Sequence, residues 1–326
     1  MRDPHFFKKL TPDFILKAVT AYGLEPDGRL MALNSYENRV YQVGLEGGAP
    51  VVVKFYRPKR WSDNAILEEH QYCFELTAAE LPVVSPLIND SGDSLITVGD
   101  FRLAVYERRG GRAPELTSEN NLKTMGRFLA RIHTVGARVK YEHRPSITSL
   151  HTLELDTTLI SQEFIPADLS AAYDTLVADI VEEISADLGT MMELTKIRAH
   201  GDCHVGNVLW REDTPNFVDF DDSRMALSVQ DLWMLLSGND LEQKAQLDCV
   251  LDGYQEFGNF DFRELRMIPA LRTLRMIGYS AWLARRWDDP AFPLAFPWFD
   301  SQKYWERHIL ELREQLLELR EVPQIQ

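Results

Sequence analysis

A chain of 326 residues is long enough for about two folded lobes at roughly 150 residues per domain, which excludes a small stapled module. Apolar residues at 45% and charged residues at 26% are ordinary globular values, and no low-complexity tract argues for disorder. With 35 basic against 50 acidic residues, the net charge of −15 has the wrong sign for a partner bound through nucleic-acid phosphates or an anionic membrane surface. Cys73, Cys203 and Cys249 are an odd number without paired spacing, which suits a reducing compartment. No apolar leader and no run of 18 uncharged apolar residues is present, so a cytoplasmic location is expected.

In chain order, Leu33-Asn-Ser35-Tyr-Glu-Asn38-Arg-Val40 is a polar turn between two strand-like runs. Arg39 to Val43 and Val51 to Tyr56 are rich in β-branched and aromatic residues, with Gly47-Gly48 and Pro50 between them, and form an expected hairpin. Ala65 to Thr77 carries a helical stripe at 66, 73 and 76, and Leu95 to Glu107 returns to strand around Gly99-Asp100. Residues 1–107 thus read as a small sheet with one helix. Residues 108–115, opening with Arg108-Arg109-Gly110-Gly111-Arg112, read as a flexible basic hinge, and residues 116–326 as a mostly helical lobe. Its long helical patterns run over Leu122 to Val135, Leu169 to Met192 and Trp305 to Leu319. One island, 207–222, interrupts them with two short strands around Glu212-Asp213-Thr214-Pro215. There are no internal repeats.

The island carries the chemistry. It reads His200-Gly-Asp202-Cys-His-Val-Gly-Asn207, and after the turn Phe217-Val-Asp219-Phe-Asp221-Asp222. A hairpin centred near Asp213 places Asn207 opposite Asp219 at its open end, where a carboxylate and an amide oxygen make a hard-donor set suited to Mg²⁺. Asp202 would project beside that metal and could orient and deprotonate an attacking hydroxyl. In the first lobe, Val52 and Lys54 share a strand face opposite the apolar Val51, Val53 and Phe55, so the ammonium needs something polar, and a nucleotide phosphate fits. Glu69 is in register with Ile66, Cys73 and Leu76 on the inward stripe of the next helix, whereas Glu68 points about a hundred degrees away. An inward carboxylate wants a cation, and Lys54 is the natural partner. Ser35 and the backbone amides of the polar turn could donate to phosphate oxygens.

A strand Lys, a Glu in the next helix, His-x-Asp-x-x-x-x-Asn and a later strand-end Asp is an order of parts that resembles the protein-kinase-like phosphotransferases. The first loop holds no glycine, His-Gly-Asp stands where Arg is usual, and Asp219 is followed by Phe-Asp; these features are similar to the aminoglycoside/choline kinase branch. Only 12 positions separate Asp219 from Asp231, too few for an activation loop. Leu129-Ala-Arg-Ile-His133, Val53-Lys-Phe-Tyr-Arg-Pro58, Gln230-Asp-Leu-Trp-Met-Leu-Leu236 and Arg286-Trp-Asp-Asp-Pro-Ala-Phe-Pro293 extend the resemblance over nearly the whole chain, towards the bacterial stress-response protein kinases of that branch. The resemblance implies an α+β, two-lobe kinase-like fold, with a small antiparallel-sheet lobe and a larger helical one. It implies a monomeric Ser/Thr protein kinase active under stress, with ATP as phosphate donor, Mg²⁺ as cofactor and a protein Ser or Thr as acceptor. Carried over by position, Asp202 is the catalytic acceptor, Asn207 and Asp219 the Mg²⁺ ligands, Lys54 the phosphate-binding lysine and Glu69 its partner. Ser35, Val40 and Val52 complete the nucleotide-binding set. Asp231, at a helix start, would hold the catalytic loop through backbone amides, which also fits an N-cap role.

Plainer readings stand beside these. Lys54 and Glu69 suit an ordinary ion pair, and Asp202, Asn207 and Asp219 each suit a turn, but the ordered set points to one site. His200, Cys203 and His204 suggest zinc, yet no second ligand cluster follows, and His200 reads as a packed, hydrogen-bonded loop residue. Asp221 and Asp222 read as solvated acids. Trp282, Trp287, Phe292, Phe296 and Trp298 read as packing residues. The alternatives in function are a kinase of an amino alcohol or amino sugar, a nucleotide-binding pseudokinase, and a metal-dependent hydrolase on His200, Asp202 and His204.

Overall fold

The computed structural model describes residues 6–147 and 150–321. The chain divides into two compact units, one built from residues 6–145 and 196–260, the other from residues 146–195 and 261 onward. The first unit opens with helix α1 (Pro12–Ala21), capped by Thr11, whose side chain accepts from the Phe14 N–H. Strands β1 (Pro26–Ala32), β2 (Arg39–Leu45) and β3 (Val51–Phe55) follow, then helix α2 (Asp63–Ala78), capped by Ser62, then β4 (Ile96–Val98) and β5 (Phe101–Glu107). The strands form one antiparallel sheet in the order β1-β2-β3-β5-β4, with β3 at its centre.

Alternation along β3 assigns its two faces. Val51, Val53 and Phe55 join Ile15, Ala18 and Val19 of α1 in the larger core cluster, whereas Tyr56, Ile66 of α2 and Ala104 form a smaller one. The expected single helix of this region is corrected to two, and β1 is an added strand. The stripe Phe14, Ile15, Ala18, Val19, Tyr22 was there to predict α1, and burying it is what closes one side of the sheet.

Helix α3 (Glu119–Gly136) belongs to the same unit and packs closely on α7 (Asp240–Gln255): a Cβ on Gly126 would collide with the Val250 carbonyl oxygen. Two further strand pairs, β6 (Ile197–Ala199) with β9 (Arg224–Ala226) and β7 (Val208–Arg211) with β8 (Thr214–Phe217), flank the island, followed by the short helix α6 (Val229–Trp233). The other unit holds α4 (Leu150–Glu163), α5 (Ser170–Glu193), α8 (Ile268–Arg286), α9 (Ala291–Ala295) and α10 (Gln302–Glu321). There α4 packs on α8, and α10 packs on α5 and α8, around Trp305, Phe299, Phe292 and Tyr173. Trp282 meets Phe292 edge-on at 5.1 Å, as expected of packing residues, while Trp298 stays 41% exposed at the rim. Among the described residues no helix is long and apolar enough to cross a membrane.

Candidate active site

Register puts the strand residues together first. Val40, Lys54 and Ala104 are direct cross-strand partners, as are Gln42, Val52 and Tyr106, so Val40, Val52 and Lys54 share one face of the sheet. The loop before β2 is fastened from within: Val40 N–H donates to Ser35 Oγ at 3.0 Å, and Ser35 donates to the Leu33 carbonyl at 3.3 Å.

The Lys54 ammonium lies 3.0 Å from Asp219 Oδ1 and 3.0 Å from Asp221 Oδ1. Burial disfavours its charge, but Asp219, Asp221 and Glu69 outweigh that and hold its pKa well above the ordinary lysine value. The expected Lys54–Glu69 ion pair is not formed. Glu69 instead meets the guanidinium of Arg144 at 3.0 Å, both side chains being buried. Arg144 has the nearer charge, and its remaining N–H groups donate to the carbonyls of Ala65, Asp221 and Ser223, which fixes it against α2. Burial still raises the Glu69 carboxyl, against the pull of Lys54 and Arg144. Arg144 was invisible to periodicity, since it sits in an irregular loop. That loop is positioned by Glu68, whose carboxylate accepts from the N–H groups of Glu142, His143 and Arg144.

The loop from His200 to Asn207 is shaped by backbone contacts. Gly201 has φ +82°, and a Cβ there would collide with the Asp222 carbonyl oxygen, so only glycine fits. His200 donates from Nε2 to the Val218 carbonyl at 2.9 Å and accepts at Nδ1 from the Asp202 N–H at 3.3 Å. Its ring also packs on Phe220, 4.5 Å away, which makes it the packed loop residue expected. Asp231 accepts from the N–H of His200 at 2.7 Å and of Gly201 at 2.8 Å, and pairs with His133 at 3.1 Å. It is no N-cap: Ser228 precedes α6, and Asp231 lies inside the helix with its carboxylate turned to the loop. Burial opposes its charge, but His133 and these donors keep the carboxyl below the usual range.

The Asn207 amide donates to the Asp202 carbonyl at 3.0 Å and approaches Asp202 Oδ2 at 3.4 Å. Hairpin register differs by one residue from the expectation. Val208 pairs with Phe217 and Val218 N–H donates to the Asn207 carbonyl, so the hairpin is centred between Glu212 and Asp213, both of positive φ, and Asn207 faces Val218. Asp219 follows in the left-handed region at φ 60° and ψ 63°, a conformation costing an Asp about 1 kcal/mol.

A model of the phosphotransferase enzyme family matches residues 30–268. The chain belongs to this phosphotransferase enzyme family. Stress response kinase A of Escherichia coli K12 is 42% identical over 97% of this chain and 96% of its own. Serine/threonine protein kinase RdoA of Salmonella typhimurium is 41% identical over 99% of this chain and 98% of its own. Among solved structures, an amicoumacin kinase complexed with AMP-PNP, Ca²⁺ and amicoumacin superposes with a TM-score of 0.74 at 20% identity, covering 95% and 94% of the two chains. A microcompartment-associated aminopropanol kinase gives 0.71 at 17% identity, covering 94% and 96%. The α+β kinase-like fold is therefore established, and this phosphotransferase is an enzyme that transfers phosphate to a hydroxyl.

The expectation of a solvated acid is corrected for Asp221, whereas Asp222 keeps a third of its side chain exposed and is ion-paired. Asp221 is 3% exposed and pairs with Lys54 and Arg60; Asp222 meets Arg60 at 2.8 Å and Arg224 at 2.7 Å. Burial pushes the Asp221 carboxyl up, yet Arg60 and Lys54 bring it down to about 2. Arg60, like Arg144, is a residue of this phosphotransferase that the sequence did not reveal, because its place beside Lys59 and Trp61 in a polar connection offered no periodic signal.

Proposed function

We propose that the enzyme transfers the terminal phosphate of ATP to serine or threonine hydroxyls of a protein, as part of a stress response. The observation that carries the chemistry is the meeting of Lys54 with Asp219, 165 residues apart in sequence, at 3.0 Å. The protein acceptor and the stress setting rest on relatives about twice as similar to this chain as the small-molecule kinases of known structure. Three unpaired cysteines support a reducing, cytoplasmic setting.

In this reading the nucleotide lies on the sheet face of Val40 and Val52, beneath the loop holding Ser35. Lys54 neutralises phosphate oxygens, and Glu69, anchored by Arg144, adds negative potential behind it. Asp202 accepts a hydrogen bond from the incoming hydroxyl and receives its proton as the oxygen attacks. The donors fit magnesium: the Asn207 amide N–H bonds leave its oxygen turned away from Asp202, and the Asp219 side chain is 56% exposed and can trade an ammonium for a cation. Bound at Asn207 and Asp219, Mg²⁺ would neutralise charge on the triphosphate.

The test incubates the enzyme with Mg²⁺ and terminally labelled ATP, alone, with a basic protein, and with a pool of small alcohols, with Asp202→Ala in parallel. Label on protein Ser or Thr that vanishes in the variant is the expected result. Label on a small alcohol alone would move the acceptor to metabolites, and bound ATP without any product would make the chain a pseudokinase.

A further inference from the structure

The ionic contacts around Lys54 divide into two sets that do not share a carboxylate. Glu69 pairs through Oε2 with Arg144, whose guanidinium is fully buried. The Lys54 ammonium lies 3.0 Å from an oxygen of each of two aspartates, but these differ: Asp219 accepts a hydrogen bond and is 56% exposed, whereas Asp221 makes an ion pair through Oδ1 and is only 4% exposed. An exposed carboxylate that also serves a cation cannot hold the lysine through a reaction cycle, because the bound ion competes for the same oxygens. The buried one can, and its second oxygen is fixed by Arg60.

Resting on the phosphotransferase reading, we propose that Asp221, and not Glu69, is the positioning residue that sets the Lys54 ammonium for the nucleotide phosphates. Arg60 extends this control to the loop over the nucleotide face. Its guanidinium contacts Asp221 and Asp222 on one side and lies 3.9 Å from Glu37 of that loop on the other, and Glu37 also meets Arg57 at 3.3 Å. Loop, lysine and the segment bearing Asp219 are thereby joined through one buried carboxylate. The Lys54–Asp221 attraction acts in a buried, weakly screened setting, and the hydrogen bond from Arg60 to the other oxygen fixes the carboxylate, which suits a group whose task is orientation.

The test measures binding of AMP-PNP with Mg²⁺ by calorimetry in wild type, Asp221→Asn, Glu69→Gln, Lys54→Met and Lys54→Met/Asp221→Asn, with a thermal melt of each. Asp221→Asn should weaken binding at least about tenfold, and at least about fivefold more than Glu69→Gln does. In the Lys54→Met background the same change should cost less than about twofold, because a positioning residue has nothing left to position. Equal losses in both backgrounds would mean a merely structural role, and a larger loss in Glu69→Gln would return the lysine to Glu69; either overturns the proposal. Should Asp221→Asn not fold, Asp221→Glu keeps the charge but displaces it by one methylene, and must show the same dependence on Lys54. Wild type that binds no nucleotide would instead defeat the kinase reading itself.

Discussion

In the unit of residues 6–145 and 196–260, buried ionic groups meet opposite charges, Lys54 with Asp221 and Arg144 with Glu69, and the buried Asp231 carboxylate is hydrogen-bonded to His133. In the helical unit, His308 Nε2, Tyr173 Oη and Trp305 Nε1 are buried without a hydrogen-bond partner among the described residues, inside a cluster of aromatic rings. Burying ions costs several kcal/mol each before pairing, so a paired network gains orientation more than stability, whereas an aromatic cluster gains stability through volume and area. The paired network around Lys54 holds atoms in place, and the aromatic cluster around Trp305 fills space.

The comparison is broken most directly at Asp219. Asp219→Ala should lower turnover by at least about 10³-fold, roughly 4 kcal/mol of transition-state stabilisation, in the labelled-ATP assay, while the thermal midpoint stays within a few degrees. Retained activity would remove the metal assignment. Trp305→Ala should do the reverse. It is expected to cost about 4 kcal/mol in urea unfolding, as large cavities do, with little change in nucleotide affinity measured by calorimetry.

Asp231→Ala sharpens the contrast because it belongs to both terms. Stranding the N–H groups of His200 and Gly201 should cost about 3 kcal/mol in urea unfolding and lower turnover together. A loss of stability with unchanged turnover would separate Asp231 from the catalytic loop.

The smallest effect is a pH dependence with one histidine in each region. Burial pushes His70 down to about 3 and His308 down to about 4, so both stay neutral in the folded chain while the unfolded chain protonates near 6.5. The unfolded state then binds more protons, and stability falls as pH drops below 6.5, by about 1.4 kcal/mol per pH unit for each residue. Urea midpoints between about pH 7 and about pH 5 measure this, and His308→Leu should remove about half of the slope. A flat profile would contradict both burials. His70 is hydrogen-bonded to Tyr56 and Ser94, so replacing it should also cost stability at neutral pH.

Much of the first region was legible in the sequence. Alternation in 51–55 put Lys54 on the face opposite Val51, Val53 and Phe55, and helical spacing put Glu69 inward; both hold in the structure. Their pairing was not legible, because Arg144 and Arg60 come from irregular connections whose residues carry no period. The hairpin was off by one residue because its centre depends on two consecutive left-handed residues, Glu212 and Asp213, and the composition of the turn does not reveal which two. Helix α1 was missed although its apolar stripe was present, since only packing against Val51, Val53 and Phe55 makes that stripe necessary.

By itself the sequence determined which side chains face inward, since strand and helix periods are local properties, and it determined the order Lys54, Glu69, Asp202, Asn207, Asp219 that marks the family. The tertiary structure alone decided which charge meets which. Ion pairing is a matter of through-space distance in a medium where a buried charge must find the nearest opposite one, and the cation that meets Glu69 stands 75 residues away along the chain.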